Sequence, residues 1–174
     1  MANKKNHPVW GVYDLYRTAR LNVKYYSARL HRIELCNLCM ELVIAATAPS
    51  SAIAGLWFWN LPIGSIAWKV LGIIAAIFAV TKPILMLSKR MKAYNETLSG
   101  YRALEHDLYE IKEMIVQKQR YDDELKKDYQ KALKRKGFLV AKDPETKQDK
   151  MLIKKLVSEI NQELPVKSFY IPGG

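Results

Sequence analysis

Residues 35–87 read LCNLCMELVIAATAPSSAIAGLWFWNLPIGSIAWKVLGIIAAIFAVTKPILML, and this stretch decides the fold. One apolar run extends from Leu35 to Trp59, the short break Asn60-Leu61-Pro62 interrupts it, and a second run extends from Ile63 to Leu87. Each run has roughly 25 residues, and about 20 helical residues cross a hydrocarbon core. The stretch therefore predicts a transmembrane helical hairpin.

The alternative is one buried hairpin inside a soluble helical bundle. The charged residues of the stretch are only Glu41, Lys69 and Lys82. Helices that are apolar on every side need cover on every side, and a chain of 174 residues offers few polar neighbours to cover two of them. The membrane interpretation is therefore favoured.

The basic excess of the chain lies beside this stretch. Lys and Arg number 28 against 17 Asp and Glu, which gives a net charge of +11. Residues 1–34 are rich in Lys and Arg, and Lys89, Arg90 and Lys92 directly follow the second run. The positive-inside rule then predicts that both termini are cytoplasmic. We expect anionic lipid headgroups as partners of these residues, and nucleic acid is not expected.

Prolines and aromatic residues mark positions within the two predicted spans. Pro49 either kinks the first span or marks its outer end, and Pro83 predicts a kink in the second. An aromatic belt is expected at the outer boundary, formed by Trp57, Trp59 and Trp68. Lys69 lies near that boundary, where it either snorkels outward or lines a pore.

Glu41 and Lys82 are the informative charged pair. Each lies about one and a half turns from the cytoplasmic end of its span, so an antiparallel hairpin places them at comparable depth. An unpaired charge in lipid costs several kcal/mol, so the two residues either form an ion pair that holds the hairpin or contribute to a polar ring in an oligomer.

Helices flank the hairpin on both sides. Residues 1–34 predict a cytosolic N-terminal helix that continues without a breaker into the first span. Residues 88–137 predict a long cytosolic helix, which Ser99-Gly100 could bend and which ends at a basic turn and Gly137. Both helices carry a heptad-like apolar seam, formed by Tyr16, Val23, Tyr26, Leu30, Tyr94, Leu98, Tyr101 and Leu108.

Residues 138–174 predict a loop, a further helix and a tail. Thr146 begins a Thr-x-x-Asp capping pattern, and the helix stops at Pro165. We expect this helix to cover the distal part of the long helix. The tail 165–174 is either a docking peptide or disordered. The predicted fold is an all-α membrane protein with a two-helix transmembrane hairpin and a long antiparallel, coiled-coil-like cytosolic stalk.

Motifs of catalysis are missing from the sequence. It contains no Gly-rich phosphate loop, nucleophile elbow or zinc-protease helix. Cys36 and Cys39, with His31 nearby, either hold a metal or are small packing residues, and packing with free thiols is favoured because a second ligand pair is missing. We expect neither enzymatic activity nor a metal or other cofactor.

Several short patterns carry a family resemblance. They are Tyr16-Arg17, Tyr25-Tyr26, Ala45-Ala46-Thr47-Ala48-Pro49, and the spaced residues Tyr94, Leu98, Tyr101, Glu105 and Tyr109. Over residues 10–115 the chain resembles the SLATT group, two-transmembrane effectors associated with SMODS nucleotidyltransferases, SLOG proteins and reverse transcriptases in bacterial conflict systems.

The resemblance implies a function at the bacterial inner membrane. It implies an effector that oligomerises and forms a pore, or otherwise disrupts the membrane, in anti-phage defence when a partner detects infection. A cytosolic sensor or nucleotide-signalling protein is the candidate partner. Two alternatives stay open: a membrane-anchored scaffold or accessory subunit that recruits a cytosolic protein, and a holin-like phage protein.

Overall fold

The computed structural model describes residues 7–47 and 62–172. In these two ranges the regular structure is all helical, which confirms the predicted all-α class. The helices are α1 (Val9–Ala46), α2 (Pro62–Leu85), α3 (Leu87–Lys118), α4 (Asp123–Ala141) and α5 (Lys150–Glu163), followed by one 3-10 turn (Val166–Ser168). The 38 residues of α1 form one uninterrupted helix, as the absence of a breaker predicted.

The chain divides into two compact units. One comprises the described residues of Met1–Arg29 and Ala93–Gly174, and the other is built from Leu30–Lys92. We call them the helical bundle and the apolar unit. α1 and α3 each begin in one unit and end in the other.

The apolar unit contains the one helix of the described ranges that is long and apolar enough to cross a membrane. This segment is Ile66–Leu85, and only 6% of its apolar window is buried. The second half of the first predicted span lies outside the described residues, together with Pro49, Trp57 and Trp59. One membrane-length helix is therefore present, and the two-span hairpin stays a prediction.

α1 and α3 pack antiparallel in the helical bundle through a ladder of side chains. The Tyr26 ring stacks on Tyr101 with centroids 5.4 Å apart, and Arg20 binds Glu105 at 2.9 Å. Among the predicted seam residues, Val23 is half-buried. The others are buried, namely Tyr16, Tyr26, Leu30, Tyr94, Leu98, Tyr101 and Leu108.

The long helix predicted for 88–137 is two helices in the structure. α3 ends at Lys118, Gln119 adopts a left-handed φ of 52°, and α4 starts at Asp123. The Asp122 carboxylate accepts a hydrogen bond from the Leu125 backbone N–H at 3.0 Å, so Asp122 is the N-cap. The chain reverses here, and the ion pair between Arg135 and Asp107 places α4 antiparallel to α3.

Gly100 allows this antiparallel contact. α3 continues through Ser99-Gly100, where a bend was predicted, and a Cβ at Gly100 would overlap the Leu139 side chain. The glycine therefore provides room for α4. α4 also extends beyond Gly137, its predicted end, to Ala141.

The C-terminal region packs on α1, whereas the sequence predicted that it covers the distal part of the long helix. Asp149 caps α5 by accepting from the Leu152 N–H at 3.0 Å, so Thr146 of the predicted capping pattern is not the N-cap. Lys24 of α1 forms ion pairs with Glu159 and Glu163 of α5. Because the predicted long helix is two helices that lie antiparallel, the uncovered distal segment on which α5 was predicted to pack does not exist.

The C-terminal tail packs on α1 through Phe169 and Tyr170. The Phe169 ring stacks on Tyr13 at 4.4 Å, and the Tyr13 hydroxyl donates to the Tyr170 carbonyl at 2.5 Å. Phe169 is 7% exposed. Of the two predicted alternatives, the structure therefore favours docking, with α1 of the same chain as the surface.

The Asp122→Ala substitution tests the helix break. Loss of an N-cap side chain weakens the start of α4, so we expect the melting temperature of the detergent-solubilised protein to fall by roughly 2–4 °C in a thermal scan followed by circular dichroism. Asp123→Ala removes a neighbouring carboxylate that does not cap and serves as the control. An equal shift for both variants would contradict the assignment of Asp122 as the cap.

Candidate functional site

The apolar unit holds a polar group of three side chains. Lys82 of α2 donates from Nζ to Glu41 Oε1 of α1 at 2.7 Å. Asn37 lies one turn before Glu41 and donates from Nδ2 to the same oxygen at 3.0 Å. The Lys82 and Glu41 side chains remain 31% and 51% exposed. The structure thus brings the two predicted residues into one ion pair, which joins α1 to α2.

The two helices that carry this polar group also expose large apolar side chains along their length. Leu38 and Leu42 of α1 flank Glu41 in sequence, and they are 50% and 59% exposed. On α2 the exposed apolar residues are Ile66, Val70, Leu71, Ile73, Ile74, Ile77, Val80 and Ile84. A partly exposed ion pair therefore lies on helices whose exposed large side chains are mostly apolar.

The other predicted residues of the second span lie apart from the ion pair. Lys69 is exposed and Trp68 is half-buried near the start of α2. Pro83 is inside α2, and the helix ends at Leu85, followed by Met86 with a left-handed φ of 47°. Proline removes one backbone hydrogen bond from the last turns, which is consistent with a helix end close to the predicted kink.

Cys36 and Cys39 are exposed free thiols. Within the described ranges, no group of three or more His, Cys, Asp and Glu side chains is arranged to hold a metal ion.

Glu145 is the centre of a second polar cluster, which lies in the helical bundle. Its carboxylate accepts hydrogen bonds from the hydroxyls of Tyr25 and Tyr94, the latter at 2.6 Å, and from Arg29 Nε at 2.5 Å. The Glu145 side chain is 3% exposed. Since Glu145 belongs to the loop between α4 and α5, this one carboxylate ties that loop to α1 and α3.

The loop around Glu145 is also fixed through its backbone. The Glu145 N–H donates to Asp143 Oδ1 at 2.8 Å, and the Asp149 N–H donates to the Tyr25 hydroxyl at 2.9 Å. We call Tyr25, Arg29, Tyr94 and Glu145 the loop clamp.

The electrostatics of the loop clamp favour a charged carboxylate. Burial raises the pKa of Glu145, but hydrogen bonds from Tyr25, Tyr94 and Arg29 together with the Arg29 charge outweigh it, so the pKa is lowered from its ordinary 4.5. The hydrogen bond to Glu145 raises the pKa of Arg29. Burial, with a smaller effect of that carboxylate, raises the pKa of Tyr94 to about 12. The cluster is therefore an ionised pair with two neutral tyrosines.

Sequence reasoning missed Glu145, although a signal was present. Tyr25-Tyr26 and Tyr94 lie on helices that were predicted to pack together, and a buried tyrosine hydroxyl needs a hydrogen-bond partner. The partner lies far along the chain in Asp143-Pro144-Glu145, which reads only as a loop. No local pattern connects the two positions.

Over residues 7–47 and 62–172, the fold and these two clusters define an all-helical protein with a well-packed bundle and one exposed helix of membrane length. Comparisons of the chain with protein-family models, with curated proteins and with solved structures found no match.

The Glu145→Gln substitution tests the loop clamp. It leaves the Arg29 charge without its partner and turns an amide N–H toward side-chain donors, so we expect a loss of about 2 kcal/mol in the free energy of unfolding. Chemical denaturation in detergent measures this loss. The control is Glu124→Gln, since the Glu124 side chain is 74% exposed and should contribute little. Equal effects of the two substitutions would refute the role of Glu145.

The lowered pKa of Glu145 predicts a pH dependence of stability. Because the folded protein binds the proton less tightly than the unfolded chain, the stabilisation is present above pH 4.5 and is lost as the pH falls through the lower folded pKa. Unfolding measured at decreasing pH should therefore show a steeper loss for the wild type than for Glu145→Gln. Parallel curves for the two proteins would contradict the prediction.

Proposed function

We propose that this protein is a non-catalytic membrane effector of the SLATT type. In this proposal the apolar unit spans the inner membrane of a bacterium as a hairpin, and the helical bundle lies in the cytoplasm. Copies associate through their apolar units and permeabilise the membrane when a cytosolic sensor or nucleotide-signalling partner is activated during phage infection.

The observation that carries the proposal is the exposed ion pair on a hydrocarbon surface. The Lys82–Glu41 pair is only partly covered by its own chain, with half of the Glu41 side chain exposed. Lipid does not solvate the exposed part of this ion pair, whereas water or a polar group of another copy does. The pair is therefore best accommodated where several apolar units meet around a hydrated path.

The size of the apolar unit supports assembly. One hairpin of two helices cannot enclose a channel, so a pore needs several copies. Exposed apolar side chains on α1, such as Leu35 and Leu42, and on α2, such as Ile73 and Ile77, provide a surface for packing against further copies or lipid.

The helical bundle supplies the regulatory part in this proposal. α1 and α3 continue from the bundle into the apolar unit. A partner that binds the bundle and favours one of two packings would shift the population of assembled hairpins. The docked tail and the loop clamp are contacts that such a partner could exchange for its own.

A membrane-anchored scaffold is the second candidate, and one observation favours it. Lys82 and Glu41 form an ion pair within one chain. This ion pair suffices to hold α1 to α2 without a pore. In that case the apolar unit only anchors the bundle.

Induced expression in bacteria with a membrane-potential dye separates the two candidates. We expect the wild type to depolarise the cells, and the double substitution Glu41→Leu/Lys82→Leu to abolish depolarisation while the protein stays in the membrane fraction. The exchange Glu41→Lys/Lys82→Glu keeps an ion pair and should retain activity.

Lys126→Leu is the control, because Lys126 is an exposed lysine of the helical bundle, outside the predicted spans, and should tolerate the change. An unchanged potential in triggered wild-type cells would contradict the effector proposal. Full activity after replacement of the apolar unit by an unrelated hairpin would favour the scaffold.

A further inference from the structure

The bundle exposes basic and large apolar side chains on either side of the loop that joins α4 to α5. It lies at the end of α4 and the start of α5, and we call it the basic end face. Met151 is 86% exposed, Phe138 is 59% exposed and Val140 is 55% exposed. The exposed lysines among them are Lys142, Lys147 and Lys150.

The charge presented by this face is positive because its carboxylates are engaged within the protein. Between Lys134 and Lys155 the acidic residues are Asp143, Glu145 and Asp149. Asp143 accepts from the Glu145 N–H, Glu145 is buried in the loop clamp, and Asp149 caps α5. The lysines are left to interact with solvent or with an external anion.

The basic end face lies at the end of the bundle from which the chain passes to the apolar unit. Glu145, in the loop that joins α4 to α5, binds Arg29 and Tyr94. Arg29 and Ala93 are the boundary residues of the bundle, so both connections to the apolar unit leave from this end. If α2 spans a bilayer, the lipid headgroups lie within a few residues of Arg29 and Ala93 along the chain.

We propose that the basic end face docks on the anionic headgroups of the same bilayer, a role that rests on the proposed membrane anchoring. Lys142, Lys147 and Lys150 bind lipid phosphates, and Phe138 and Met151 enter the interface between headgroups and acyl chains. The Lys142 ammonium lies 4.2 Å from the centroid of the Phe138 ring, which joins a cation to an aromatic side chain in one contact. A nucleic acid would use the lysines but leave Val140 and Met151 bare, so an anionic bilayer fits this face better.

The test uses the full chain with Cys36 and Cys39 changed to serine and an environment-sensitive fluorophore on Phe138→Cys. The protein is reconstituted into vesicles of phosphatidylcholine, with or without phosphatidylglycerol, that contain a spin-labelled quenching lipid. We expect a blue shift and quenching with phosphatidylglycerol, and loss of both at high salt. Lys142→Gln/Lys147→Gln/Lys150→Gln should lose most of the shift.

Two controls match these variants. Val116→Cys places the fluorophore on a 40% exposed residue near the other end of α3 and should show no lipid-dependent shift. Lys126→Gln/Lys127→Gln/Lys131→Gln removes as many lysines from the start of α4 and should keep the Phe138→Cys response.

The outcomes separate this inference from the proposed function. Flotation with pure phosphatidylcholine vesicles reports anchoring, and the response to phosphatidylglycerol at position 138 reports docking. Equal signals in both lipids, equal signals at positions 116 and 138, or the same shift with duplex DNA and no vesicles would overturn the docking. A response to phosphatidylglycerol without flotation on phosphatidylcholine would overturn the proposed anchoring, and with it docking on the bilayer that the same chain spans.

Discussion

The dominant physical constraint on this structure is the exposed apolar surface of α2. α2 carries a 20-residue segment of membrane length, of which only 6% of the apolar window is buried by the described part of the chain. The bundle has its own buried core, whereas the exposed large apolar side chains of α2 belong to the apolar unit. Full exposure of an Ile, Val or Leu side chain to water costs on the order of 1.5–3 kcal/mol, and these side chains are 36% to 71% exposed. A bilayer or an assembly of copies would bury these side chains.

A second constraint acts on the bundle: its buried polar groups need hydrogen-bond partners. Aromatic residues form much of the α1–α3 contact, and tyrosine hydroxyls inside a bundle must be paired. Glu145 pairs two of them together with Arg29, so one loop carboxylate holds α1, α3 and the α4–α5 connection together. The bundle thus pairs its internal polar groups, whereas the apolar unit exposes apolar side chains.

The sequence predicts the parts of this fold that rest on periodicity. The uninterrupted α1 follows from the absence of a breaker, and the pairing of α1 with α3 follows from their apolar seams. The break after Lys118 was missed because Gln119 occupies the left-handed position where glycine or asparagine is usual. Asp122-Asp123-Glu124 is a helix-start pattern that periodicity in the neighbouring residues concealed. Once the helix is broken, the placement of α5 changes as well.

The candidate site was predictable to a different degree in each unit. Glu41 and Lys82 stand out because charges are rare in an apolar stretch, and an antiparallel arrangement alone brings them to one depth. The loop clamp joins Glu145 to Tyr25 and Arg29, which lie more than 100 positions earlier in the chain, and its loop contains no periodic pattern. The tail resembles a disordered segment in composition, and only the structure shows Phe169 stacked on Tyr13.

The central claim is that lipid covers the apolar unit, and alkaline carbonate extraction of membranes from cells expressing the full chain tests it most directly. If the claim holds, the protein remains in the membrane pellet after the wash and is released by detergent. Recovery in the carbonate supernatant as a detergent-free monomer would contradict it.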